Sequence, residues 1–487
     1  MSKSAVVRAV TSFSNGSINT STFFTLPAIP TILAEWASLL PLVCHLATWS
    51  YGHRIVGDIA LRGELRIPLF PRLGVLLGFA RLLSDDGNFL GEASSKAGRS
   101  DVVYDVKWGS VFPCANGAAS QIISNMAVAR AGPSTILPDI ASPFPFLQDC
   151  MRKELHQQSE APTTPADSFS SSDSSKQPPS TINYEDTTTK FRRYQTLHVL
   201  HFARYHTCES RPRWPRALLP SFVLPLLRDL ILIILIGVLV FAGAHGTATI
   251  ILTSVLTTAL CRLMKVEVRR PPGYLSNNES GDGCMLVGMH QNANVWHLYA
   301  GDRGTVDAVL NKTMITFVGP TVFLSTCFYI AHAVQLLAMT FVAAQKGFDG
   351  VFLLLLMLFT WVFDWLTGDA VQARKWLRRE KISLVTRSFR FTGRMPLIGT
   401  VQLYSRTSNT SWMDSIIAKC PRREAWLQGL TSLRSISRES VTQHGNLFVQ
   451  SEGESSWLTS NIGRAWGAFA IVSKELDQAL AQQPTRV

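Results

Sequence analysis

The stretch from Gly288 to Asp307 carries the densest set of reactive side chains in the chain: His290, Asn292, Asn294, His297, Asp302, Arg303 and Asp307. His290 and His297 are suited to moving a proton near neutral pH, and Asp302 and Asp307 to orienting a histidine or acting as acid and base. Arg303, with Asn292 and Asn294, is suited to holding an anionic or polar group. A β-like run ends at His290, and functional residues are often carried on a loop at such a strand end. If the residues after Asn292 are helical, His297 lies a turn or two from His290. A structural account competes with this one. Gly301-Asp-Arg-Gly304 also reads as a sharp turn, with Asp302 or Thr305 capping the helix that runs to Leu310. The stretch is not a phosphate loop, a His-Glu-x-x-His pair or a Gly-x-Ser-x-Gly elbow, so it names no reaction and no cofactor.

The elements that would position these residues are apolar helices. Leu230 to Phe241 and Val351 to Trp361 are long uncharged runs. A helix of about 20 apolar residues crosses the hydrocarbon of a bilayer with its backbone fully bonded. The expected architecture is an α-helical multi-pass membrane protein of about five spans: a first helix within 26–51, beginning near Thr31, and two hairpins of the same orientation at 222–264 and 315–367. A small cytosolic α/β or α+β unit, assembled from 265–314 and 368–487, completes it. Residues 52–156 are expected to be cytosolic. There Leu73 to Leu83, too short to cross, lies along the surface or packs with a strand at Val102 to Trp108. Residues 190–221 mix basic and aromatic side chains and read as an interfacial helix.

One pattern occurs twice. A helix pair is followed by Lys265-Val-Glu-Val268, Met285-Leu-Val-Gly288 and Asp307, then a second pair by Lys381-Ile-Ser-Leu384, Pro396-Leu-Ile-Gly399 and Asp414. The drift between corresponding points is what loop deletions produce, and it suggests a duplication. The second copy has Thr400-Val-Gln402 where the first has Met289-His-Gln291, so a site would belong to the first.

The formal net charge is +12. The Lys and Arg residues cluster beside the apolar runs: Arg262, Lys265, Arg269 and Arg270 after one hairpin, Arg374, Lys375, Arg378, Arg379 and Lys381 after the other. That distribution places both hairpin ends in the cytosol and the N-terminal tail, 1–25, in the lumen or outside. It also favours membrane lipids as partners; no basic run is joined to a nucleic-acid motif. Trp361, Trp365 and Trp376 read as the inner interfacial belt. Arg228, Asp229 and Asp364, at inner helix ends, read as anchors able to pair between the hairpins. Asn15 and Asn19 begin glycosylation sequons on the non-cytosolic side, whereas Asn278, Asn311 and Asn409 begin sequons on the cytosolic side.

Eight cysteines stand singly, without Cys-x-x-Cys, which argues against a zinc site or a disulfide framework. His198, His201, His206 and Cys208 are close in sequence. His198 and His201 share a face of the expected helix, but His206 is displaced and no carboxylate is near, so no metal is expected. Residues 157–189, rich in Ser, Thr and Pro, read as a disordered linker open to phosphorylation.

The run from Asn294 to Lys312, Asn-Val-Trp-His-Leu-Tyr-Ala-Gly-Asp-Arg-Gly-Thr-Val-Asp-Ala-Val-Leu-Asn-Lys, resembles a stretch found in multi-pass membrane proteins of filamentous fungi. The resemblance implies a membrane context and a fungal source, and it carries over no catalytic residue. Three functions follow as expectations. The first is a membrane scaffold or sensor whose cytosolic unit binds a protein partner. The second is a membrane enzyme acting on a lipophilic substrate at the cytosolic interface, and the third a small transporter, which would have to be a homo-oligomer to enclose a pore.

Overall fold

The computed structural model describes residues 30–47, 52–65, 67, 69–70, 75–84, 95–96, 99–137, 194–205, 223–263, 267–269, 273, 275–276, 281–314, 316–318, 321–345, 347–435 and 452–482. The N-terminal sequons, the 157–189 linker, His206, Cys208, Asn278 and a strand expected at Asn446 to Gln450 lie outside them.

The helices in chain order are α1 (Thr31–Ala47), α2 (Gly52–Arg62), α3 (Val75–Ser84), α4 (Gly117–Val128), α5 (Val223–Phe241), α6 (His245–Leu263) and α7 (Arg303–Leu310). There follow α8 (Thr321–Gln345), α9 (Phe348–Leu366), α10 (Asp369–Arg379), α11 (Arg394–Ser405), α12 (Pro421–Ser435) and α13 (Glu452–Ala481). Seven strands form the main sheet: β1 (Val102–Asp105), β2 (Val111–Pro113), β3 (Thr135–Ile136), β4 (Gln195–Arg204), β5 (Gly283–Gly288), β6 (Val295–Gly301) and β7 (Ile382–Phe391). The chain folds into two units, each assembled from three separate stretches: 1–93, 208–270 and 315–372 make one, and 94–207, 271–314 and 373–487 the other.

The first unit is helical. Among the described residues, α6, α8 and α9 are long and apolar enough to cross a membrane, and α1 and α3 are shorter apolar helices. Their outer surfaces are apolar: Ile330, Leu337, Phe359 and Val362 are all more than half exposed, as are Leu230, Ile231, Ile233 and Ile234 on α5. Water would penalise so continuous a patch, whereas lipid does not. Small residues set the packing. A Cβ on Gly350 of α9 would come within 2.7 Å of the backbone of Ser38 on α1. At the start of α9, Asp349 is 3 % exposed and accepts the amides of Gly246 and Thr247, which supplies the first turn of α6 with a cap.

Two expectations change here. The helix at 75–84 packs on α8, with Ser325 Oγ donating to the Ala80 carbonyl at 2.7 Å, and the strand at Val102 belongs to the other unit. Of Lys265 to Val268, the described residues Glu267 and Val268 belong to a three-residue ribbon, Glu267–Arg269 against Thr316–Val318, within the same unit.

The second unit is a mixed sheet with helices on both faces. Its order is β2-β1-β5-β6-β4-β7-β3, parallel at β6/β4 and β7/β3 and antiparallel elsewhere. Leu197, Leu298 and Phe389 pack on one face against α11, α12 and α13 through Val401, Trp426 and Val472. On the opposite face Tyr299 donates its hydroxyl to the Ser120 carbonyl of α4 at 3.2 Å.

Of the stretches 265–314 and 368–487, Gly283–Gly288, Val295–Gly301 and Ile382–Phe391 contribute strands to this sheet, whereas 265–270 and 368–372 belong to the helical unit, and the repeat does not extend into the sheet. Ile382 to Leu384 opens a ten-residue strand next to the edge strand β3, and Pro396 to Gly399, the counterpart of β5, is a buried part of α11. The expected interfacial helix at 190–221 is replaced, over 195–204, by β4, paired on both sides. On a strand, residues three apart face opposite ways, so His198 and His201 do not share a face. Trp376 is fully buried in this unit, not interfacial.

Candidate functional site

The structure divides the Gly288 to Asp307 stretch between the two ends of β6. His290 and Asn292 occupy the loop before it, and Asp302, Arg303 and Asp307 follow its last residue. Seven residues of strand at about 3.3 Å each separate the groups by roughly 20 Å, too far for one reaction centre. The expected helix after Asn292 is thus a turn and a strand, and Trp296 fixes that turn by donating its indole N–H to the Gln195 side chain and the Ala293 carbonyl, each at 3.0 Å.

At the far end every expected group has a structural partner. Gly301 has φ of +104°, and a Cβ there would lie 2.0 Å from the Phe202 carbonyl oxygen; one on Gly304 would lie 2.3 Å from that of Leu275. Both glycines of Gly-Asp-Arg-Gly are therefore dictated by close backbone approach. Asp302 is the N-cap of α7: its carboxylate accepts the Thr305 amide at 2.8 Å and hydroxyl at 2.5 Å, with Arg204 at 3.7 Å. Arg303 turns inward between two carboxylates, 2.9 Å from Asp105 and 3.0 Å from Asp307. Asp105 also accepts the amides of Lys107 and Trp108. Burial pushes the Asp307 carboxyl above its ordinary value, against the pull of Arg303. This triad locks α7 to the β1 end of the sheet.

His297 lies beside His198 on the neighbouring strand, ring centroids 5.2 Å apart, and His198 Nδ1 is 2.8 Å from the Ser388 hydroxyl on β7. Burial, then the neighbouring imidazole, pushes His297 down to about 4. Burial lowers His198 as well. Both rings are neutral at physiological pH, and His297 titrates well outside the range expected of it. In the near loop His290 is exposed and its Nδ1 accepts the Asn292 amide at 3.0 Å. Asn292 takes a hydrogen bond from Arg394, and the Asn294 carbonyl accepts the Thr196 amide at 2.8 Å. Among the described residues no three His, Cys, Asp or Glu side chains gather as metal ligands.

A second candidate lies in the helical unit. A cavity of about 720 Å³ opens among α2, α3, α5, α9 and the first turn of α10. Its walls are apolar, with Ile59, Phe70, Phe79, Leu232 and Phe359 among them, and its rim carries Asp58, Arg62, Glu64, Arg228, Asp364 and Asp369. Arg62 donates to the Gln372 side chain at 2.7 Å and lies 3.9 Å from Asp58. Arg228 lies 3.3 Å from Asp229, which also accepts from Arg262. Asp229 thus pairs within its own hairpin. Of the rim, sequence reasoning singled out only Arg228 and Asp364. The missed signal is in α2, where Ile55, Asp58, Ile59 and Arg62 recur at i, i+3, i+4 and i+7 and so share the face that lines the cavity.

Comparison of the chain with protein families, with curated proteins and with solved structures finds no match.

Proposed function

We propose that the chain is a multi-pass integral membrane protein that acts by binding and not by covalent chemistry: a scaffold or sensor whose helical unit holds an amphiphile and whose sheet unit meets a protein partner on the cytosolic side. The observation that carries this reading is the cavity, which combines apolar walls with a charged rim at helix ends. Such a lining suits a molecule with a hydrocarbon body and a polar head. Its position supports the same reading: Trp365, 81 % exposed, and Trp361 stand beside the rim, as aromatic side chains do at a membrane surface. The five spans of this reading are α1, α5, α6, α8 and α9, with the N-terminal tail outside.

The enzyme reading loses support because Asp302, Arg303 and Asp307 are occupied by a helix cap and a buried ion triad. The test is mass spectrometry of small molecules that remain with the detergent-purified protein. Wild type is expected to retain a defined amphiphile, a Leu232→Trp variant that fills the cavity to lose it, and a His290→Ala/Asp307→Asn variant to keep it. Loss of a specific ligand from the folded His290/Asp307 variant, with Leu232→Trp unaffected, would move the site to the sheet unit and restore the enzyme reading.

A further inference from the structure

We infer that the cavity of the helical unit opens sideways into the bilayer, so that its occupant is a membrane lipid entering past the C-terminal end of α9 and not an amphiphile taken from water. The inference rests on the amphiphile-binding reading above and names the source of the molecule. The cavity is sealed on one side. Toward α2 and α3 its lining is buried: Ile55, Ile59, Phe70 and Phe79 are each at most 6 % exposed. At the polar rim, Arg62 Nε donates to the Gln372 side chain at 2.7 Å, and the Gln372 amide lies 3.4 Å from the Thr367 carbonyl. The polar end is thus bridged from α2 to α10.

On α9 the lining turns outward. Phe359, Trp361, Phe363 and Trp365 line the cavity and are also exposed, Phe359 by 61 % and Trp365 by 81 %. Side chains that both line a cavity and reach the surface stand at its mouth, and this mouth is aromatic. The four lie within one short stretch of helix, about 9 Å long. The hydrocarbon of one leaflet is about 15 Å deep. The mouth therefore covers more than half of the leaflet at the C-terminal end of α9, which is the cytosolic leaflet in the proposed orientation. The α5 wall borders the same surface: Leu232 turns into the cavity, while Ile231 and Ile233 on either side of it face out. Water would penalise an opening framed in this way, whereas hydrocarbon does not. A lipid can pass its chain through the mouth while its head stays at the interface, so that no charged group crosses hydrocarbon. An amphiphile arriving from water would first have to part the Arg62–Gln372 bridge.

The experiment places the full-length protein in phosphatidylcholine vesicles with a diacyl phosphatidylcholine that carries a photoactivatable diazirine at the end of one chain, and maps the labelled peptides by mass spectrometry. A second arm adds a short single-chain phosphocholine with the same diazirine, from water, to the protein in non-ionic detergent. The reporter is α2, because from Ile55 to Arg62 each of its side chains is buried or half-buried. The bilayer-confined probe is expected to label α2 as well as the lipid-facing α5 and α9, and Leu232→Trp, which fills the cavity, to lose the α2 label alone. Label on α5 and α9 only, with α2 labelled by the short probe in detergent, overturns lateral entry and leaves an amphiphile site standing. If neither probe labels α2, or if the α2 label survives in folded Leu232→Trp, both readings fall. The wild-type distribution of label decides the route even where the variant fails to fold.

Discussion

Asp349 and Thr247 are joined three times: one carboxylate oxygen takes the Thr247 amide at 2.9 Å and its hydroxyl at 2.5 Å, the hydroxyl also lies 3.0 Å from the Asp349 backbone carbonyl, and the other carboxylate oxygen takes the Gly246 amide at 2.7 Å. The first turn of one apolar helix thus satisfies the amides at the start of another, where water is excluded. Asp349→Ala leaves those donors bare and is expected to cost about 2–4 kcal/mol, with Asp349→Asn milder. Thermal unfolding in detergent measures it; an unchanged midpoint for the alanine variant would contradict the role.

Gly350 lies one residue on, and its missing side chain is what lets Ser38 approach. Gly350→Val is expected to drive α1 off α9 and expose the N-terminal helix to protease. Gly237 is its control. A Cβ there meets nothing within 4 Å, so Gly237→Ala is expected to be neutral or to stabilise by up to about 1 kcal/mol.

Arg303 is the single cation between two carboxylates, and its side chain is 7 % exposed. Arg303→Met leaves Asp105 and Asp307 facing each other in the core and is expected to cost about 3–5 kcal/mol. Asp307→Asn is expected to cost less, because burial already favours the protonated acid there. Both variants are expected to retain the amphiphile if they fold. Wild-type stability for Arg303→Met would show the triad to be incidental.

The paired histidines make the sheet unit acid-sensitive. Their folded pKa values lie below the unfolded value near 6.5, His297 at about 4. The unfolded chain therefore takes up protons first, so stability is fully present above about pH 6.5 and is lost as pH falls toward 4. His297→Phe is expected to flatten the stability profile in that window; a profile as steep as that of wild type would place the acid sensitivity elsewhere.

The proposed orientation is exposed to a direct test. Asn15 and Asn19 are expected to carry glycans, and Asn278, Asn311 and Asn409 to carry none, as mapped by glycosidase-sensitive peptides. Asn409 also has its side-chain oxygen engaged by the amide and hydroxyl of Ser411, its own sequon serine. A glycan at any of the three would invert the topology.

The long apolar helices were legible because length and uncharged composition identify a spanning segment without reference to any neighbour. The start of α1 near Thr31 and the strand at Met285 to Gly288 were legible for similarly local reasons. β4 was not. Tyr194 to Tyr205 mixes basic and aromatic side chains, and only pairing with β6 and β7 settles it as a strand. The same misreading put His198 and His201 on one face. Trp376 was misassigned because a tryptophan after an apolar run suits an interface and a core equally well. At the candidate sites, the cap at Asp302 was readable from Gly-Asp-Arg-Gly, but the triad was not, because Asp105 lies 198 residues from Arg303. The cavity depends on α2, a short helix whose apolar stripe acquires meaning only from what it covers.

Interleaving of the chain also sets the order in which the protein can be made. His198 and Ser388, which meet across β4 and β7, stand 190 residues apart. At translation speeds of about 5–20 residues per second, β4 waits roughly 10–40 s for that partner. During that wait α5, α6, α8 and α9 are synthesised, and the edge of β4 that pairs with β7 stays open. The sheet therefore closes only after the last of the long apolar helices that interrupt it has left the ribosome.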